Sequence, residues 1–512
     1  MYRIENDLQN LKNKLASGGS VVAIGLSLTL ATAGIVYSAA AQSPSNPPRP
    51  LPAAQAAPAA QTQAVAARPL TDEQIALMTR TLGEAASHGF RAGEFGPTEL
   101  DTMLKARDPA ARARGEALLK HAIAAYAAAQ HGQRLPTGDF LGDWGVRPIP
   151  YDAQADLDFA LGQGRLEQWL ASLPPPFERY RQLRTALGQY RAIAARGGWP
   201  AIGEGPALKP GMIDDRVVQL RLRLAAENPP GSIETTSPVY DDTLAAIVQA
   251  AQARYGLKSD GVVGGATLRA FNMPVEGRIA QIAANMERWR WMPRAWPTVR
   301  IEVNIPDQQL TLYAQNRPVD AMKVVVGQPG KKTPMLISAV RSIIVNPPWN
   351  VPKSIARSEL VPKGQGYLRA NGFTWVSDGA GGSRLQQRPG PGNSLGRIKF
   401  DFDNPYGVYL HDTPAKAAFD REERSLSHGC VRLERPQELA AILLGQGWDQ
   451  AKLQAIVDTM ETERIDLPQK IPVMLLYWTV FTSPDGQVNF RNDTYRWDER
   501  LSGMLELGKI TA

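Results

Sequence analysis

From residue 71 to residue 223 apolar side chains return every three or four positions, the spacing that lays one buried stripe along a helix. Ala, Leu, Arg and Gln dominate there, and Thr71 stands where it can cap the run TDEQIALMTRTLGEAASH. Residues 71–213 are therefore expected to form a helical scaffold domain. His88, His121 and His131 fall in it without acidic or cysteine companions at ligand spacing, and read as surface or packing residues. A second helical unit is expected over 214–273, where Leu244, Ile247 and Val248 mark a buried face. Its pairs Asp260-Gly261 and Gly264-Gly265 are expected to supply the positive φ of tight turns. The Trp-rich IAQIAANMERWRWMP predicts a helical connector over 274–296.

Near Pro297 the period changes from 3.6 to 2. Val299, Ile301, Val303 and Ile305 alternate with polar residues, and QLTLYAQNRPVDAMKVVVG holds two strand-like runs about an Asn-Arg-Pro turn. Further strands are expected in SAVRSIIVNPPWN and GRIKFDFDNPYGVYLH, separated by a glycine-rich excursion over 351–394. Excursions of that length are functional lids or disordered segments. The fold class is multidomain α+β, with a β-rich domain over 297–447 and a carboxyl-terminal segment, 448–512, packing on the other domains.

The amino terminus is of another kind. VVAIGLSLTLATAGIVYSAAA carries no charge and follows Arg3, Lys12 and Lys14. The roughly 20 uncharged residues suit a membrane anchor, whereas Ala39 and Ala41 ahead of Gln42 suit a cleaved signal. Either outcome places the chain beyond Gln42 outside the cytoplasm, on the periplasmic side of a cell envelope. Residues 43–70 are rich in Pro, Ala and Gln with almost no large apolar residue, and read as a disordered spacer.

The chain of 512 residues is too long for one core, and its 43% apolar content can supply several. The net charge of +7 comes without a dense basic block interleaved with aromatics, which argues against nucleic acid. One cysteine excludes an internal disulfide and any zinc site built from two thiolates of this chain. No cofactor or metal is expected.

That cysteine, Cys430, lies in SLSHGCVRLERP, and two of the five histidines, His411 and His428, stand within twenty residues before it. A free thiol is mostly protonated at neutral pH and needs a base, most often histidine, to become a nucleophile. His411 ends a strand-like run, and Cys430 follows a Ser-His-Gly turn. Gly429 lets backbone approach a substrate carbonyl, so amides around Gly429 and Cys430 can donate to an oxyanion. Arg432 can hold a carboxylate or brace the loop. His428 is either a substrate-side donor or a structural loop residue. Cys430 taken alone reads as a small buried hydrophobe; its polar, glycine-bearing flanks and the histidine upstream turn the reading toward catalysis.

YLHDTP with SHGCVRLERPQELA resembles the signature of the L,D-transpeptidases, peptidoglycan cross-linking enzymes with a catalytic cysteine in a β-rich domain. The likeness extends over VVVGQPGKKTP, NPPWNVPKSI, RPGPGNSLGRIKF and the terminal IPVMLLYWTVFTSPDGQVNFRNDTY, and 214–273 resembles a small three-helix peptidoglycan-binding module. The resemblance implies Cys430 as nucleophile, His411 as its base, and the Gly429 and Cys430 amides as oxyanion donors. It implies that Ser427, His428 and Arg432 line the pocket, that Tyr409 and Asp412 orient the base, that 351–394 caps the cleft, and that Trp349 supplies an apolar wall. The implied partners are peptidoglycan stem peptides, a tetrapeptide donor and an amine acceptor, with carbapenem β-lactams as covalent inhibitors. A hydrolase of the same fold, an L,D-carboxypeptidase or a peptidase, and a non-catalytic wall-binding scaffold are the rival readings.

Overall fold

A computed structural model describes residues 69–510 apart from 97–98, 229–230 and 380. The expected export segment, 1–42, and the spacer up to residue 68 lie outside the described residues. Among the described residues no helix is long and apolar enough to cross a membrane.

The scaffold helices start where their caps dictate. Thr71 forms a full capping box with Gln74 ahead of Asp72–Gly83. Asp108 accepts from the Ala110 and Ala111 amides ahead of Pro109–Gln130, whose leading proline has no N–H to leave unpaired. With Ala153–Gly162 and Leu166–Ser172 these helices enclose their own core around Met78, Leu119, Ile123, Tyr126 and Leu157. Glu178–Ala195 belongs instead to the main core, where it runs along Val275–Arg290.

The expected connector proves to be the hub. Val275–Arg290 is buried on almost every side although it carries four charged residues besides Glu276, and charge is tolerated at such depth when it is met by opposite charge. Arg288 pairs with Asp498 at 2.5 Å, and Glu287 holds Arg290 at 2.7 Å and Arg134 at 3.3 Å.

The unit over 214–273 folds as three helices, Arg216–Ala225, Asp242–Arg254 and Gly265–Asn272. Gly261 takes the expected positive φ of +72°. Gly264-Gly265 does not turn: Gly264 is extended at φ −90° and Gly265 begins a helix. A backbone bridge between Val263 and Leu208 delivers the chain in extended form, so the pair starts a helix instead.

The β domain comprises β1 (Arg300–Asn304), β2 (Gln309–Ala314), β3 (Arg317–Gly327), β4 (Leu336–Val345), β5 (Trp349–Asn350), β6 (Phe373–Ser377), β7 (Ser383–Gln387), β8 (Ile398–Phe402), β9 (Leu410–His411), β10 (Ser425–Ser427), β11 (Val431–Leu433), β12 (Glu463–Leu476), β13 (Val480–Thr482) and β14 (Val488–Phe490). The large sheet runs β10-β3-β11-β9-β8-β4-β12-β1-β2, and β2 also pairs with β3, closing it on itself. The β2–β3 turn sits at Gln315 and Asn316, both at positive φ, rather than at Asn-Arg-Pro; Arg317 and Pro318 already pair in β3. The expected boundary at 447 fails more substantially. β12 lies between β4 and β1, so the carboxyl-terminal segment supplies an inner strand of the sheet instead of packing on it. An inner strand cannot be left out of a closed sheet without leaving two edges unpaired.

The 351–394 excursion is folded. It contributes β6 and β7, pairs them with β5, and buries Val351, Ala356, Leu360, Leu368, Phe373 and Leu385 in a small core of its own. The scaffold is stitched to the sheet by residues 142–145. Met335 N–H donates to Asp143 O at 2.8 Å, Gly145 N–H donates to Met335 O at 2.9 Å, and Tyr406 Oη donates to Gly142 O at 2.9 Å. Trp144, wholly buried, packs against Trp291 and Trp497.

A Cβ on Gly145 would fall 2.5 Å from Met335 O and 2.6 Å from Tyr406 Oη, whereas none at Gly142 would meet anything. Gly145→Ala should lower stability by about 1–3 kcal/mol in urea unfolding, with Gly142→Ala near neutral.

Candidate active site

In the sheet β9 and β11 run parallel, with Leu410 beside Val431 and His411 beside Arg432. Neighbours across parallel strands share a face, and positions two apart return to it. Tyr409, His411, Cys430 and Arg432 therefore project from one side. The Tyr409 and His411 rings meet edge to face at 5.6 Å. Lys399, paired with His411 across β8 and β9, holds its Nζ 4.5 Å over the Tyr409 ring.

The turn bearing Cys430 has little freedom. β10 and β11 flank β3, so residues 427–431 cross the end of β3 at Gly327. Thr333 Oγ1 accepts from Gly327 N–H and donates to Gly429 O, both at 2.8 Å. Tyr495 Oη accepts from Thr333 N–H at 3.1 Å and donates to Gly327 O at 2.5 Å. Gly429 has φ +116°, a conformation for glycine, and a Cβ there would sit 3.2 Å from Lys332 O.

Three expected roles change, and His428 takes one of its two alternatives. The Gly429 N–H donates to Ser427 Oγ at 3.1 Å, so this amide is engaged and only that of Cys430 remains as the backbone oxyanion donor from the expected pair. Ser427 does not line the pocket: it is buried, and its hydroxyl also donates to Cys430 O at 2.5 Å, bracing the turn from within. The Asp412 carboxylate is turned from the His411 ring, accepting from Arg397 N–H at 2.8 Å and pairing with Lys416 at 2.7 Å, while its backbone carbonyl meets the ring. As the next residue along the strand it faces the other way. It fixes the 395–397 turn, whose Leu395 carbonyl faces the His411 ring. His428 Nε2 lies 2.7 Å from Glu359 Oε1 of the cap, and the same oxygen takes Lys331 Nζ at 2.5 Å. This is the structural alternative for His428, a tie between nucleophile turn and cap.

Trp349 is half-buried at the root of the cap, edge to face with Phe373 at 6.2 Å and near the Tyr409 phenol. Beside the turn a cleft of about 480 Å³ opens between the cap, the 329–332 loop and the scaffold strap, lined by Asp143, Lys331, Lys332, Ile355 and His428.

Electrostatically the thiol and the imidazole rest uncharged. Burial pushes the Cys430 thiol up, opposed by Tyr409, Lys399 and Arg432. Burial, aided by Arg432, pulls His411 down to about 4, so its imidazole is neutral at pH 7. Among the described residues its Nδ1 has no hydrogen-bond partner. A neutral ring with an open nitrogen on the face that carries a thiol can accept a proton. Thr333, Glu359, Lys399 and Asp143 were not singled out from the sequence; none stands within thirty residues of Cys430, and each meets the site only through sheet, cap or strap geometry.

Two pH dependences follow. Iodoacetamide reacts with thiolate, so alkylation of Cys430 should be slow at pH 7 and still rising above pH 9. His411 titrates near 4 folded and 6.5 unfolded, so the unfolded chain binds more protons between those values. Stability from this residue should be lost as pH falls from 6.5 to 4, at up to about 1.4 kcal/mol per pH unit in chemical denaturation, a slope missing in His411→Ala.

Comparison with known proteins places the site in context. Residues 298–458 match the family described as "L,D-transpeptidase catalytic domain", residues 67–187 the "Scaffold domain", and residues 214–271 the "Putative peptidoglycan binding domain". A Haemophilus influenzae protein named "Putative L,D-transpeptidase" is 31% identical over 248 residues, covering 44% of this chain and 50% of that protein. The chain thus spans half the length of that relative. Among solved structures, L,D-transpeptidase 3 from Mycobacterium tuberculosis has 17% identity and a TM-score of 0.20, over 35% of this chain and 61% of that one. An L,D-transpeptidase from Mycobacterium smegmatis has 12% and 0.19, over 35% and 58%.

Proposed function

We propose, for a chain that carries an L,D-transpeptidase catalytic domain beside scaffold and peptidoglycan-binding domains, that it is a cysteine-dependent peptidoglycan L,D-transpeptidase forming 3-3 cross-links. What supports this is the register that sets Cys430 and His411 on one face of neighbouring strands, with His411 Nδ1 buried and without a hydrogen-bond partner among the described residues. As Cys430 Sγ attacks the carbonyl of the third residue of a donor tetrapeptide, its proton passes to His411. A C–S bond forms, the amide C–N bond breaks, and the imidazolium returns the proton to the departing D-alanine. In the second half an acceptor amine attacks the thioester, a C–N bond forms, sulfur leaves, and the amine's proton returns to it through His411.

The electrostatics suit proton transfer coupled to bond formation. A raised thiol and a lowered imidazole disfavour a standing ion pair, so free thiolate is scarce until a carbonyl is in place. The carbonyl oxygen that gains charge is met by the Cys430 N–H. Arg432, which has no carboxylate partner among the described residues, adds positive charge beside sulfur. The cap limits water, whose attack on the thioester would waste the donor. Action on wall polymer also implies a location on the periplasmic side of the envelope, reached by the amino-terminal signal or anchor, and covalent capture by carbapenems.

Muropeptide mass spectrometry after incubation with tetrapeptide substrate should show cross-linked dimers; tripeptide alone would make the protein an L,D-carboxypeptidase, and no turnover a wall-binding scaffold. Cys430→Ala should abolish a carbapenem adduct in intact-protein mass spectrometry. His411→Ala should slow acylation by about a hundredfold or more, and His428→Ala by less.

A further inference from the structure

Where the three-helix module meets the hub, positive charge is buried in excess. Glu227 is fully buried and accepts from Tyr190 Oη at 2.6 Å and Tyr255 Oη at 2.8 Å. Arg223 pairs with it at 2.8 Å, and Arg254 reaches it at 3.8 Å. Burial alone would raise Glu227, but Arg223, Arg254 and Tyr190 hold it down at about 2. One carboxylate thus already serves two guanidinium groups when a third, Arg278, packs against one of the same rings, Tyr255. Arg278 is 3% exposed and lies 4.6 Å from both the Tyr255 and Phe490 ring centroids. It donates to Gln281 Oε1 at 3.0 Å and to Ala270 O at 2.7 Å, its Nε has no partner, and among the described residues no carboxylate pairs with it. A buried guanidinium without a counter-charge is costly, and a bound anion relieves that cost.

Arg278 lines a cleft of about 290 Å³ between the module and the 491–499 segment. A second cation, Arg269, stands exposed on its wall with no carboxylate partner among the described residues. The acidic groups of the cleft are engaged. Asp493 accepts from Tyr477 Oη and from the Trp497, Asp498 and Glu499 amides, and Glu499 is bound twice by Arg496 at 2.6 Å. Leu257, Ala266, Ala270 and Met273 make the rest of the wall apolar. The volume admits one or two small amino-acid residues rather than a glycan chain, and planar guanidinium groups match carboxylate.

We propose that this cleft is a non-catalytic site for a carboxylate of a wall stem peptide, held by Arg278 and Arg269 against small apolar side chains. The site rests on the wall polymer being the substrate, as proposed above, and deepens that reading by seating a second stem at the junction of module and hub. Occupation there would hold wall polymer against the part of the molecule that is continuous with the catalytic sheet.

The test is sedimentation of the full chain with isolated sacculi, either native or with carboxylates converted to amides by carbodiimide and ammonia. Arg269→Ala, at an exposed position, and Arg278→Gln are compared with Arg317→Ala, a control that removes an equal charge from an exposed, unpaired site on the β2–β3 hairpin. We expect amidation or either cleft substitution to weaken wild-type binding about tenfold, the two perturbations together to cost no more than one, and the control to change binding less than twofold. Such non-additivity marks a direct contact. Equal binding of Arg269→Ala and wild type, additive losses, or an Arg269-dependent affinity that survives amidation and so belongs to wall phosphodiesters would each overturn the proposal. Carbapenem acylation of Cys430, measured on the same samples, should be unchanged by the cleft substitutions. It reports on the catalytic reading separately, since its failure in the wild type would strike that reading and not this one.

Discussion

The parallel register of β9 and β11 is the constraint on which the rest depends. Side chains alternate along a strand with period two, so slipping either strand by one residue would turn Cys430 or His411 to the opposite side of the sheet. Two-residue and three-residue strands are weak guardians of register by themselves. The register is kept by what lies on either side: β8 pairs Lys399 with His411, and β3 pairs Val325 with Arg432. Closure of the sheet through β2 and β3 leaves these short strands no free edge along which to slide. Thr333 then fixes the turn end-on, through Gly327 on one side and Gly429 on the other. The position of sulfur is thus set by backbone pairing and by the Thr333 and Ser427 hydroxyls, not by packing of the sulfur itself.

Burial then decides the charge state. Desolvation moves thiol and imidazole apart in the direction that keeps both neutral, while Arg432 and Lys399 favour negative charge at sulfur. The result is a thiol that rests protonated beside a neutral imidazole. The cap is joined to the turn by the Glu359 contacts with His428 and Lys331. Since His428 immediately precedes Gly429, a movement of the cap is felt two residues from the Cys430 amide and sulfur.

The chemistry was more legible in the sequence than its supports. One cysteine, a glycine before it and a histidine ending an alternating run carry local signals, and the scaffold cap at Thr71 follows from residue type and spacing. The Gly429 amide misled because a serine two residues upstream competes for it, a contact that depends on the turn closing tightly enough for Ser427 Oγ to reach. Asp412 misled because neighbours in sequence lie on opposite faces of a strand. β12 was invisible as an inner strand, since Glu463 to Lys470 alternates poorly and Pro468 and Pro472 argue against a ladder. The register shift between Asp466 and Ile471 absorbs the first of these prolines. Glu359, Thr333 and Asp143 carry no local sign, because what recruits each is a partner far away in the chain.

The hub helix changes how the domains relate. A wall-binding module on a flexible tether would raise the local concentration of polymer without fixing its direction. Here Tyr190 of the scaffold donates to Glu227 of the module, Arg254 of the module donates to Val488 O at 3.3 Å, and Arg491 is ion-paired with Asp307 while donating to Arg254 O at 3.0 Å. The module is therefore joined by charged and backbone contacts both to the scaffold and to the loop that follows β1. Any ligand held on it would have a defined direction relative to the sheet. The same rigidity explains why charged residues accumulate in Val275–Arg290: each pair that crosses from this helix to another element, such as Arg288 to Asp498, resists a rotation that apolar packing alone would permit.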